Sequence, residues 1–196
     1  GRGFYVLDDY SALREMTPAR LKEEGTLFTP RTAKWYIPRS NLGNTGADFY
    51  IAENPEFGAV FTYHLAKKYS TQKQDRKKQE KEANKKGTNI PFPGYAALDA
   101  ENSEKPAKVW ISISDEDGNI VRHLTQKAKK GTHRLSWDLR HASTQAIDPD
   151  RKSNGWNASG PMVVPGNYSA QLSLEKDGVV QSLGKAVSFE VKAIRE

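Results

Sequence analysis

The stretch Lys108 to Leu124, KVWISISDEDGNIVRHL, decides the fold. Val109, Ile111 and Ile113 alternate with Trp110, Ser112 and Ser114, the two-residue period of a strand with one buried face. Asp117-Gly118-Asn119 supplies turn residues, and Ile120 to Leu124 returns as the second strand of a hairpin. A type I′ or bulged turn is expected between them.

Downstream, Thr132 to Arg140 (THRLSWDLR) places Leu135, Trp137 and Leu139 on one face and Arg134, Ser136 and Asp138 on the other. Trp137 is expected in the core, with Asp138 bonding a neighbouring loop. After a Gly/Asn/Pro-rich stretch ending at Gly166, the residues Tyr168, Ala170, Leu172 and Leu174 alternate. A turn near Asp177-Gly178 leads to a short run around Val179 to Leu183, and Val187, Phe189 and Val191 alternate in a closing strand. Upstream, Ala59, Phe61, Tyr63 and Leu65 alternate with Val60, Thr62 and His64. Six or seven short strands with regular turns predict a mainly β protein, an antiparallel β-sandwich over residues 54–196. Trp110, Trp137, Asp138 and Tyr168 are its expected structural residues.

An insertion at about 66–107 interrupts the strands. Lys67 to Lys86 is rich in Lys, Gln and Glu, with nine Lys/Arg against three Asp/Glu, so this one segment accounts for the whole formal charge of +6. It reads as a solvated helix ended by Gly87, after which Pro91, Pro93 and Gly94 break regular structure. The first 53 residues differ again. A β-prone run, Phe4 to Leu7, meets Asp8 and Asp9, which can cap a turn over Tyr10 to Glu15. Thr17-Pro18 opens a second short helix to Glu24, stopped by Gly25. Brief extended pieces follow around Thr26 to Phe28 and Ala33 to Ile37, and Ser40 to Asp48 reads as a linker, placing a boundary near Asn54.

Composition excludes several classes. The chain is polar, with a mean hydropathy of -0.76, yet four Trp, eight Tyr and seven Phe argue against a disordered polymer. No apolar run reaches the roughly 18 residues of a membrane span. Without cysteine there is no disulfide framework, thiolate metal site or cysteine nucleophile. No Gly-rich phosphate loop and no Gly-x-Ser-x-Gly elbow occurs.

The series KVWISISDEDGNIVRHL, GTHRLSWDLR and PGNYSAQLSL resembles the immunoglobulin-like domain of the flagellar hook-capping protein and of many bacterial C-terminal modules. The shared pattern is a D-x-x-G hairpin, a G-x-H-x-x-x-W-D strand and a P-G-x-Y strand start, across Lys108 to Leu174. At the other end GRGFYVLDD, FTPRTAKWY and GAVFTYHL resemble the segment leaving the last blade of sortilin-type, sialidase-repeat propellers, often labelled glycosyl hydrolases. The resemblance implies that residues 1–53 are the remnant of a final propeller blade, that the partner is the propeller of the same parent chain, and that the location is periplasmic or secreted. Any export signal is then expected upstream. It also implies a non-catalytic accessory module, with no cofactor.

Candidate sites fit that expectation. Asp115 to Asn119 offers the oxygens a hard cation takes, but Ile111 and Ile113 occupy positions where an EF-hand needs ligands, and Glu116 stands where a sialidase-type aspartate box needs Asp. A hairpin turn accounts for them. Paired carboxylates at Asp8/Asp9, Asp115/Asp117 and Asp148/Asp150 lie in polar turns, suited to capping rather than to the raised pKa of a glycosidase acid. The histidines His64, His123, His133 and His141 lack the i, i+4 spacing of a helical metal pair. Two binding alternatives remain. Trp156, in the loop SNGWNASG, is a candidate for stacking on a sugar ring. Lys73, Arg76, Lys77, Lys78 and Lys81 form a candidate polyanion patch, although only Tyr69 adds a ring for nucleic-acid stacking, so nucleic acid is disfavoured.

Overall fold

The computed structural model describes residues 3, 7, 9–38, 54–144 and 160–194. Within them lie helix α1 (Ser11–Glu15), strands β1 (Gly25–Leu27), β2 (Ala33–Trp35) and β3 (Ala59–Leu65), helices α2 (Gln72–Lys85) and α3 (Tyr95–Ser103), then β4 (Lys108–Ser114), β5 (Ile120–Lys127), β6 (Gly131–Trp137), β7 (Gly166–Lys176) and β8 (Val179–Ala193). The protein is mainly β and its strands form two sheets, β1-β3-β6 and β2-β8-β7-β4-β5. None of the described helices is long and apolar enough to cross a membrane.

Period-two patterning builds the core between the sheets. Phe61, Tyr63 and Leu65 point inward from β3, and Val109, Ile111 and Ile113 from β4, all with no exposed surface. Ala170 and Leu172 of β7 and Trp137 at the end of β6 join the same cluster. Phe61 meets Phe189 of β8 edge-on at 5.3 Å, joining the sheets across the middle. Each such buried side chain contributes roughly 1.5 to 3 kcal/mol of transfer free energy.

The β4–β5 hairpin has the bulged form. Asp115 N–H donates to Asn119 O at 3.0 Å, Gly118 N–H donates to Asp115 O at 3.2 Å, and Gly118 sits at φ +83°. The pairing register shifts between Ile113 and Ser114. Asp115 steadies the loop by accepting from the Asn119 N–H at 2.8 Å.

Several elements depart from the sequence expectation. The larger sheet is not wholly antiparallel, because β2 pairs with β8 in parallel, Ala33 opposite Val191 and Trp35 opposite Ala193. A hairpin fixes antiparallel direction, but β2 arrives from β1, in the other sheet, past the buried Phe28. On either side of the linker, β1 pairs with β3, and β2 with β8. The helix expected from Pro18 to Glu24 is a single 3-10 turn over Arg20–Lys22, with Thr17 Oγ1 accepting from Arg20 N–H at 3.3 Å. The short run after Gly178 and the closing strand are one element, β8, whose pairing with β7 shifts register between Ala170 and Leu172. Finally, α3 follows the Pro/Gly breakers, since Tyr95 to Ser103 contains Ala96, Ala97, Leu98 and Ala100, all good helix formers.

Candidate functional site

Three regions carry the expected site residues. The first is the aromatic cluster in the core between the two sheets. Trp137 is fully buried, with ring centroids 5.6 Å from Tyr168 and 6.2 Å from Phe189 in edge-on arrangements. Its indole N–H donates to Arg140 O at 2.9 Å. Asp138 accepts from Arg140 N–H at 3.2 Å, an Asx turn that supports Leu139 at φ +55°. Tyr168 donates its hydroxyl to Val164 O, four residues upstream, at 2.6 Å. Burial raises the Tyr168 pKa, and the Asp115 and Glu116 charges add to the shift.

Trp110 departs from this group. The alternation that buries Val109 and Ile111 puts Trp110 on the outer face of the sheet, half-buried. There its indole N–H donates to Glu175 Oε2 at 2.7 Å and its ring meets His123 edge-on at 5.7 Å. Trp156, like the Phe4 to Val6 part of the first expected run, Asp8 of the Asp8/Asp9 pair, the Ser40 to Asp48 linker and the Asp148/Asp150 pair, lies outside the described residues.

The second region is the insertion, whose Lys-rich segment is the helix α2, capped by Thr71. Arg76 does not face solvent as a free cation. Its Nε and Nη2 donate to Glu101 Oε1 and Oε2 at 2.6 and 2.8 Å, a bidentate fork, and Nη1 donates to Glu80. Glu101, on α3, is 8% exposed. The Arg76 hydrogen bonds hold its carboxyl below the usual carboxylate range against the opposing effect of burial, with Lys73 and Lys77 helping. Lys78 pairs with Glu82 at 3.9 Å, and Lys73 donates to Asn102 Oδ1 at 3.4 Å. Of the five candidate patch residues, Arg76 and Lys73 are engaged by the clasp to α3 and Lys78 by Glu82 within α2, while Lys77 and Lys81 have no such partner among the described residues.

The third region was not singled out from sequence in this form. Where the insertion leaves the sheets, a groove of about 390 Å³ is lined by Lys68, Lys127, Lys129 and Lys130 together with Tyr69 and Gln74, and among the described residues no carboxylate contributes to its wall. An adjoining groove of about 380 Å³ shares Lys68 and Tyr69 and adds Lys67, Lys176 and Glu24. Glu24 accepts from Lys67 Nζ at 3.2 Å and from the Tyr69 hydroxyl at 3.1 Å, which holds its own pKa down. Burial first, and then that acceptor, push the Tyr69 hydroxyl up to about 12. The sequence signal was the run Lys127-Ala128-Lys129-Lys130, too short to stand out beside the long run in α2.

The histidines stay apart, His64 with Thr132, His123 with Ser112 and His133 with Lys129 O. Among the described residues no three His, Asp or Glu side chains converge as a metal site requires. Comparison with known proteins finds no matching family model, no matching curated protein and no matching solved structure.

Proposed function

We propose that the chain is an immunoglobulin-like, non-catalytic module that packs against and orients a propeller domain preceding it in an exported parent protein. The observation that carries this reading is the way residues 9–35 are built into the sandwich. β1 extends one sheet and β2 the other. Trp35 donates its indole N–H to Val163 O at 2.8 Å, and its own carbonyl accepts from Ile194 N–H at 3.3 Å. Farther upstream, Arg134 of β6 donates to Asp9 O at 2.7 Å. A segment held at this many points transmits orientation, whereas a free linker would not. The immunoglobulin-like assignment is supported by the buried Trp137 between the sheets and by the Tyr168 hydroxyl closing back onto Val164, a corner that β-sandwiches of this kind use.

The test is made in the parent chain. Removing residues 9–196, which takes out β1 and β2 as well as the rest of the sandwich, should lower the melting temperature and secreted yield of the preceding domain. A preceding domain with unchanged stability, secretion and activity would refute the proposal.

A further inference from the structure

We propose that the lysine-lined end of the sandwich, at the root of the insertion, is a binding track for an acidic polysaccharide. Lys68, Lys127, Lys129 and Lys130 converge on one groove from two distant parts of the chain, the exit of β3 and the β5–β6 turn. Among the described residues none of these four forms an ion pair. Carboxylates bordering this end are engaged: Glu24 with Lys67 and Tyr69, Glu104 with the N–H of Gln72 at 2.6 Å, and Glu175 with the Trp110 indole. Lys127 stands directly opposite Lys108 in the β4–β5 register, and Lys108 has Glu175 opposite it on its other side. Gathering cations into a concave wall without a counter-ion raises the local positive potential, which a bound anion relieves.

The shape favours a polymer over a small anion. Because the two grooves share Lys68 and Tyr69, lysines line a continuous path from Lys130 through Lys68 to Lys67 and Lys176, the last two each beside one carboxylate, Glu24 and Asp177. The chemistry of the walls favours a sugar chain over a nucleic acid. Among the described residues Tyr69 is the one aromatic ring in either groove; it is half-buried with its hydroxyl held by Glu24, so these residues form no stacking platform for bases. Every cation is a lysine, a point charge suited to dispersed carboxylates and sulfates, and none is the forked arginine that reads phosphate or guanine. Pro106, Ala107, Leu174 and Val179 give the walls the apolar surface that sugar C–H faces pack against.

The proposal is independent of the module reading and is tested on the full 196-residue chain. Heparin and polygalacturonate serve as sulfated and carboxylated probes, with single-stranded and duplex DNA as competing polyanions. At about 50 mM salt the chain should bind at least one polysaccharide, with affinity falling steeply as salt rises. The variant K68Q/K127Q/K129Q/K130Q should bind at least about tenfold more weakly and lose up to about one unit of salt slope per lysine. The charge-retaining K68R/K127R/K129R/K130R should bind within about threefold of the parent chain, and K77Q/K78Q/K81Q/K85Q, which removes equal charge from α2, should change affinity less than about threefold. Circular dichroism melts establish that each variant is folded. Absence of polysaccharide binding at low salt, equal losses in the two glutamine variants, or tighter binding to DNA than to both polysaccharides would each overturn the proposal.

Discussion

Replacing Trp137 with Ala removes the largest fully buried side chain among the described residues. Truncating a buried Trp or Phe costs about 3 to 5 kcal/mol, the transfer term plus the cavity left behind. The structure argues for the middle to upper part of that range. Tyr168 and Phe189 both lie edge-on to the ring, contacts worth about 0.5 to 1.5 kcal/mol beyond the area they bury. The site also has little means of collapse, since β6 is held along its full length by β3, with Trp137 opposite Ala59. A loss of about 4 kcal/mol is therefore expected, a large part of the roughly 5 to 15 kcal/mol that stabilises a domain. For a chain of this size that corresponds to a fall of about 8 to 16 °C in Tm. Trp137→Phe keeps an apolar ring but leaves Arg140 O without its donor, for which about 1 to 3 kcal/mol is expected. Urea titration followed by far-UV circular dichroism measures both. A loss below about 1 kcal/mol for Trp137→Ala would refute the placement of this ring at the centre of the core. Equal losses for the two variants would show that the Arg140 hydrogen bond, not packing, dominates.

Two further outcomes follow from local geometry. Gly58 sits at φ +100°, and a Cβ there would lie 1.9 Å from Trp137 O, so Gly58→Ala combines backbone strain with a collision that a rotamer change cannot relieve. A loss of about 2 to 5 kcal/mol is expected in the same urea assay, and near-parental stability would contradict the β3–β6 geometry. Glu101 has a pKa below its ordinary value of 4.5 because Arg76 hydrogen-bonds the carboxylate, so its contribution is present above that value and is lost as pH falls through the lowered one. Hydrogen exchange below about pH 4.5 should show α2 and α3 losing protection before the sheets do. Arg76→Met should reproduce that pattern at neutral pH, and unchanged α2 protection in that variant would refute the role of the clasp.

The mainly β character was readable because period-two alternation is strong where one face is buried, as in Val109, Ile111 and Ile113 or Phe61, Tyr63 and Leu65. The same alternation puts Trp110, expected as a structural residue, on the outer face, where its indole N–H finds Glu175. β1 and β2 are three residues each and owe their place to partners far along the chain, Tyr63 to Leu65 and Val191 to Ala193, so local pattern carries almost no signal for their direction or sheet. The charge of α2 was plain in the sequence, yet its effect depends on Glu101, twenty-five positions from Arg76 and brought close by the unforeseen α3. The lysine groove was hidden for a related reason: Lys68 and Lys127 to Lys130 meet through the topology of β3, β5 and β6, and no sequence window holds them together.

The parallel pairing of β2 with β8 also determines how the protein answers a mechanical load. When tension pulls β2 from its N-terminal side and β8 from its C-terminal side, the two strands are drawn in opposite directions along a shared axis. The bonds between Ala33–Trp35 and Val191–Ala193, and the one from Ile194 N–H to Trp35 O, are then strained together in shear instead of opening one by one. An antiparallel pair pulled through the ends next to its turn-free side would unzip. A load applied across this pair would therefore have to break its bonds together.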